Sequence, residues 1–378
     1  SACMTDLATA RAILDTLIGF DTTSRHSNLA LIEWVEDYLA RHSVSSERVP
    51  NADGQKANLF ATCGPSAQGG VILSGHTDVV PVDGQAWSSD PWTVREAGGR
   101  LYGRGVADMK GFIALALAFV PRFVAGKLPV HLALSYDEEV GCAGVPGLLD
   151  VLATGQSAAG TCLPEVVVVG EPTGMRLCDA HAGKVAHRVD LVAAAGHSSR
   201  AGTEPTAVHE AAILATLVHG LNDPGRGISA NVGSIHGGLA VNVLAPACTL
   251  EFEVRHGSDV DPDKLLATVL AAVEDAHDRL IAVGGHATTE AFVRYPALAH
   301  DPGTDAVAAL TGIVDTGAPG PVAFGTEAGL FHDRLGVPAV IVGPGDIVDA
   351  HRPDESLDPD QLVRCGEVLH RAIDRFCA

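Results

Sequence analysis

Positive charge is scarce in this chain. Lysine and arginine number 25 against 46 aspartates and glutamates, for a formal charge of −21 and a pI near 5.1. Nucleic acid and anionic membrane both recruit basic patches, so neither is an expected partner. None of the eight cysteines forms a C-x-x-C pair. In a chain this large, scattered cysteines read as reduced, mostly buried thiols of a cytoplasmic protein. Long apolar runs are missing too. The longest strongly apolar one, residues 112–120, is too short to span a bilayer. No basic-then-apolar segment opens the chain, and Met4 is the expected natural start behind Ser1-Ala2-Cys3. Internal repeats, low-complexity tracts and long linkers are likewise not found.

What is present is apolar bulk. Hydrophobic residues make up 47% of 378 residues, enough for a sizeable core and for two domains. Leu7, Ile13, Leu14, Leu17 and Ile18 share a helical face, as do Leu29, Ile32, Val35 and Leu39. Short continuous apolar runs follow at 71–73, 132–134, 165–169 and 339–342, the pattern of strands buried on both faces. Helical stretches at 111–124 and 144–153 separate several of them. This predicts an α/β layer with a mostly parallel sheet.

The middle of the chain alternates instead. Val185, His187, Val189 and Leu191 interleave with polar neighbours, as do Leu250, Phe252 and Val254. Helices fit at 205–220 and 261–283, and strands near 228–234 and 287–293. The order β-α-β-β-α-β is ferredoxin-like, an α+β arrangement. The expected domains are 1–181 and 295–378 for the larger unit, with 182–294 inserted.

Open α/β sheets bind ligands at the carboxyl ends of their strands. After the first apolar run comes "GHTDVVP", with His76 and Asp78. After the second come Asp137, Glu138 and Glu139, and after the third "GEPT", with Glu171. After the last comes "GPGDIVDAHRPDE", with His351, while "YGRGVADMKG" carries Asp108. Each has an ordinary reading as a loop pair, a solvated acid or a turn. Their convergence on strand ends points to a metal site, since zinc takes imidazole nitrogen and carboxylate oxygen. Asp108, between glycines, suits a bridging carboxylate. Asp78 is placed to accept the other ring N–H of His76. Adjacent glutamates in a strand face opposite ways, so Glu138 and Glu139 serve one site only if the chain turns there. Spacing leaves open which is ligand and which is base. Asp137 is expected to be a solvated or turn-capping acid.

These five motifs, in this order, resemble the M20 family of dizinc aminoacyl hydrolases, and "AGHSSRAGTEP" and "GGLAVNVLAP" extend the resemblance through the insertion. The resemblance implies a homodimer whose inserted domain serves as lid and dimerisation domain. It implies two zinc ions, with cobalt or manganese as alternatives. His76 and Glu171 would hold one metal, Glu139 and His351 the other, and Asp108 would bridge them. Asp78 would orient His76, Glu138 would be the general base, and the Asp108–Met109 bond would be cis. His197 of the partner subunit would stabilise the oxyanion. "GHSSR" is not G-x-S-x-G, which disfavours a serine nucleophile.

"FGTEAGLFHD" at 324–333 resembles the branch that deacetylates N2-acetyl-L-ornithine, rather than the one acting on succinyl-diaminopimelate. The implied partner is thus a small N-acyl amino acid. Asn242 and Arg255 match substrate-binding positions, and Arg255 suits a carboxylate as a planar double donor. Gly325, Thr326 and Glu327 complete the substrate set, with Glu327 expected to read a cationic side-chain amine. Other M20 activities (desuccinylase, aminoacylase, carboxypeptidase) and a non-catalytic metal or amino-acid binder are the alternatives.

Overall fold

The computed structural model describes residues 2–154 and 163–378, without the side chains of residues 2–5. The expectations for Ser1, for the side chains of Cys3 and Met4, and for Cys162 lie outside the described residues. The other six cysteines are buried free thiols. Among the described residues, no helix is long and apolar enough to cross a membrane. The chain divides into two compact units, Ser1–His181 with Leu298–Ala378, and Ala182–Ala297.

An eight-stranded sheet organises the first unit. Its order is Ser46–Pro50, Ala57–Cys63, Val130–Ser135, Val71–His76, Val166–Val169, Ala339–Ile341, Cys178–Ala180 and Gly320–Pro321. The four strands from Val130–Ser135 to Ala339–Ile341 run parallel and are buried along their whole length. Valine-rich sequences suit that position, because branched side chains pack well on a pleated surface covered on both sides. Ser46–Pro50 and Ala57–Cys63 add an antiparallel edge. The helical stretch expected at 111–124 is two helices, Lys110–Ala118 and Val120–Val124. Pro121, without an N–H, cannot continue the first ladder but fits the first turn of the second. The last helix, Pro359–Phe376, is opened by Asp358, whose side chain accepts the Asp360 N–H. Its buried Leu362, Cys365, Leu369 and Phe376 join the core beneath the sheet.

The second unit runs Gly183–Val192, Ala207–His219, Ser229–Gly237, Ala247–His256, Pro262–Ile281 and His286–Tyr295. Its four long strands pair antiparallel in the order Ser229–Gly237, Ala247–His256, Gly183–Val192, His286–Tyr295, the ferredoxin-like order. Val185, Val189, Leu250 and Phe252 meet Leu214, Val218, Leu266 and Val273 of the two helices in one core. Thr206 and Asp261 cap those helices with side-chain acceptors. The unit runs past the expected 294 because its last strand stays paired as far as Tyr295, opposite Lys184.

Candidate metal centre

Parallel strands deliver whatever follows them to one edge of the sheet. His76 is the last residue of Val71–His76. Residues 137–139 follow Val130–Ser135, Glu171 follows Val166–Val169, and His351 lies on the loop after Ala339–Ile341. Asp108 precedes the helix Lys110–Ala118, and its bond to Met109 is cis. Gly170 explains how that helix comes so close. A Cβ at Gly170 would lie 2.0 Å from the Phe112 ring, so a side chain there would push the helix off the strand end beside Glu171.

Two groups of ligand atoms result. One is His76, Asp108 and Glu171, the other Asp108, Glu139 and His351. Asp108 divides its oxygens between them. Its Oδ1 is 3.0 Å from His76 Nε2 and its Oδ2 3.1 Å from His351 Nε2. His351 Nε2 is also 3.0 Å from Glu139 Oε1, and His76 Nε2 is 3.7 Å from Glu171 Oε1. That Glu171 oxygen is buried with no hydrogen-bond partner. Glu138 belongs to neither group; its Oε2 lies 4.0 Å from His76 Nε2.

The electrostatics of this cluster fit metal ions. Burial pushes the Glu171 and Glu138 carboxyls well up, and neighbouring carboxylates push them further. Burial and Asp108 raise Glu139 to about 7, against the pull of His351. Burial also works against the charge on Asp108, but hydrogen bonds from His351 and His76 outweigh it and hold that group low. His351 is raised to about 10 by its bonds to Asp108 and Glu139. A divalent cation in each trio would relieve this crowding of negative charge and satisfy the orphaned Glu171 oxygen. The mixed nitrogen and oxygen donors suit zinc, cobalt or manganese better than the all-oxygen ions calcium and magnesium.

The profile of Peptidase family M20/M25/M40 matches residues 72–375. The chain belongs to that family. Acetylornithine deacetylase from Myxococcus xanthus is 34% identical over 395 residues, covering 98% of this chain and 98% of that protein. The M20 family metallo-carboxypeptidase Sso-CP2 from Sulfolobus solfataricus shares the fold at a TM-score of 0.75 and 17% identity, over 96% of this chain and 98% of that one. A dinuclear metal-binding M20 peptidase from Bacillus subtilis does so at 0.63 and 14%, over 97% of each chain. This M20 chain is therefore a metal-dependent amide hydrolase.

Asp78 does more than orient His76, the role expected from sequence. The His76 Nδ1 atom is 2.9 Å from the backbone oxygen of Asp78, while the Asp78 carboxylate stands 3.5 Å away. That carboxylate accepts the backbone N–H of Glu138 at 3.1 Å and of Glu139 at 3.2 Å, and the Ser24 hydroxyl at 2.6 Å. It therefore organises the acidic turn as well as the histidine. The chain does turn there. Asp137 has φ 56°, and the Glu138 carbonyl accepts the N–H groups of Gly141 and Cys142, which lets Glu138 and Glu139 face the same site. Asp137, expected from sequence to be a solvated or turn-capping acid, instead pairs with Lys56 Nζ at 2.6 Å, both side chains 17% exposed. Lys56 also donates to the Ser24 carbonyl.

Of the expected substrate residues in the first unit, Gly325 is half-buried and Thr326 is buried, and Thr326 Oγ1 accepts the Ala328 N–H. Glu327, 1% exposed, receives the Ser74 hydroxyl at 3.5 Å on Oε2 and leaves Oε1 without a partner. Burial raises it to about 7, against Ser135 and His76. The second unit carries the other two, Asn242 and Arg255, together with the expected catalytic residue His197. Gly196–His197 pairs with Val243–Leu244, and the Asn242 carbonyl accepts the Ser198 N–H at 3.1 Å, so His197 and Asn242 share one ribbon. Both are exposed. His197 Nδ1 lies 2.9 Å from the Ser199 hydroxyl. A cavity of about 440 Å³ opens beside the ribbon, lined by Ser198, Thr206, His209 and Val241. Arg255 donates through Nε to Glu253 at 3.0 Å.

Proposed function

We propose that this chain hydrolyses N2-acetyl-L-ornithine to L-ornithine and acetate with a zinc ion at each trio, a step of arginine synthesis in the cytoplasm. The division of the Asp108 oxygens between the trios carries the chemistry. The similarity to acetylornithine deacetylases supports the substrate. His76, Asp108 and Glu171 would hold one metal, and Asp108, Glu139 and His351 the other. Metals bound there supply Lewis-acid polarisation of the amide carbonyl and acidify water. Glu138, beside the trios but in neither, takes a proton from the attacking water. It returns that proton to the amine nitrogen as the C–N bond breaks. Asp78 holds the backbone that aims Glu138. His197 of the partner subunit donates to the carbonyl oxygen as it gains charge. Arg255 and Asn242 take the substrate carboxylate, and Gly325, Thr326 and Glu327 the side-chain end.

This reading makes the protein a homodimer, with the second unit as lid and dimerisation domain. Exposed Leu239 and Val241, 74% and 100% accessible, with Ile235 and Phe292, offer apolar area for a partner to cover. Initial rates on N2-acetylornithine, succinyl-diaminopimelate and acetylmethionine, measured side by side on the zinc-loaded protein, test the substrate. Acetylornithine should have the highest kcat/KM. A higher value for either rival moves the chain to a neighbouring M20 activity.

A further inference from the structure

Asp108 and His351 both sit on loops, and one hydrogen-bond network, buried at its Glu355–Arg104 end, ties those loops together. Glu355 Oε1 accepts the backbone N–H groups of Ala107 and Asp108, each at 3.0 Å. Its Oε2 accepts the Gly105 N–H at 3.0 Å and Arg104 Nη1 at 2.7 Å. Both charged side chains are 1% exposed. The guanidinium lies over the Trp87 ring, 5.1 Å from its centre, and donates through Nη2 to Gln85 Oε1. Trp87 Nε1 donates to that same oxygen at 3.0 Å. With its oxygen facing two donors, the Gln85 amide must turn its nitrogen the other way. There Nε2 donates to the His351 carbonyl at 3.1 Å. His351 has φ 60°, a left-handed conformation that a residue with a Cβ keeps only where its surroundings hold it.

We propose that Glu355, Arg104 and Gln85 are positioning residues of the metal centre. Glu355 fixes the backbone of the shared ligand Asp108, Gln85 fixes the backbone of His351, and Arg104 couples the two. The inference rests on reading the trios as metal sites. It makes the two ends of the network unequal. Loss of the Glu355 charge touches Asp108 and hence both trios, and it strands Arg104 as a buried unpaired charge. Loss of the half-buried Gln85 side chain reaches only the trio of His351.

The test is Co²⁺ addition to metal-stripped full-length protein, followed by calorimetry and visible absorption, with circular dichroism melting as the measure of folding. The parent should take up two equivalents. Gln85→Ala should bind one as the parent does and the other about tenfold more weakly, the loss typical when a partner behind a ligand is removed. The cobalt absorption of that weaker equivalent should change. Glu355→Gln should weaken both equivalents. A purely structural role would lower the melting temperature and leave the affinities alone. A folded Gln85→Ala variant with two parent-like equivalents overturns this inference by itself. A parent that does not take up two equivalents overturns the reading of the trios, and this inference with it.

Discussion

Asp108 and His197 are assigned to one reaction, yet the chain holds them in opposite ways. The Asp108 side chain is 5% exposed, with an imidazole against each oxygen and Glu355 on its backbone N–H. His197 is exposed on a two-residue strand, and its ring hydrogen-bonds only with Ser199 among the described residues. The difference follows from what each must meet. Ligands for a small cation need to converge before it arrives, because a misaimed buried carboxylate carries its full desolvation cost. A group that meets a diffusing substrate has to stay reachable. The first region is thus built into the core, and the second is borne on a surface ribbon.

The sharpest way to break that contrast is inside the first region. Glu138 belongs to neither trio, so chemistry and metal retention should separate there. Glu138→Ala is expected to lower kcat by roughly 10²–10⁴, the usual contribution of a general base, while zinc content by atomic absorption stays at the parent level. Unchanged turnover would sink the mechanism. Lost zinc would make Glu138 a ligand.

The second region gives the next largest effect. His197→Ala is expected to reduce kcat by about 10²–10³, the scale of one oxyanion donor, with metal content and melting temperature unmoved. Mixing it with Glu138→Ala provides the stricter check. If His197 of the partner subunit serves each site, mixed dimers regain one intact site, and random exchange restores about a quarter of parent activity in a two-fold dimer. No recovery, in a mixture shown to exchange subunits, would mean that His197 acts within its own chain or not at all.

The same contrast decides what could be read from the chain. The parallel strands were legible because burial on both faces writes itself as unbroken apolar runs such as Val166–Val169. The residues at their ends then stood out as polar groups in an apolar context. Edge strands such as Ser46–Pro50, partly exposed, carry no such run. The role of Asp78 toward residues 138 and 139 left no trace, because its partners there are backbone N–H groups that every residue has. The pairing of Asp137 with Lys56 joins positions far apart in sequence, and only the fold makes them neighbours. Glu355 and Arg104 lie inside motifs that are visible, but their bond is not.

The smallest expected effect lies between the two regions in character. Glu327 is buried as deeply as His76, Asp108 and Glu171 but belongs to neither trio, and one of its oxygens is unpaired. A buried carboxylate with a free oxygen is costly unless a cation offsets it. The side-chain amine of ornithine would be that cation in the proposed reaction. Glu327→Gln keeps the shape and removes the charge. It should lower the kcat/KM preference for N2-acetylornithine over N2-acetylnorvaline by about tenfold, the order of one charge-assisted hydrogen bond. Glu327 also repels Glu138, so a second outcome is informative. If both substrates slow or quicken by the same factor, Glu327 acts on the base rather than on the substrate, and its place in the substrate set is lost.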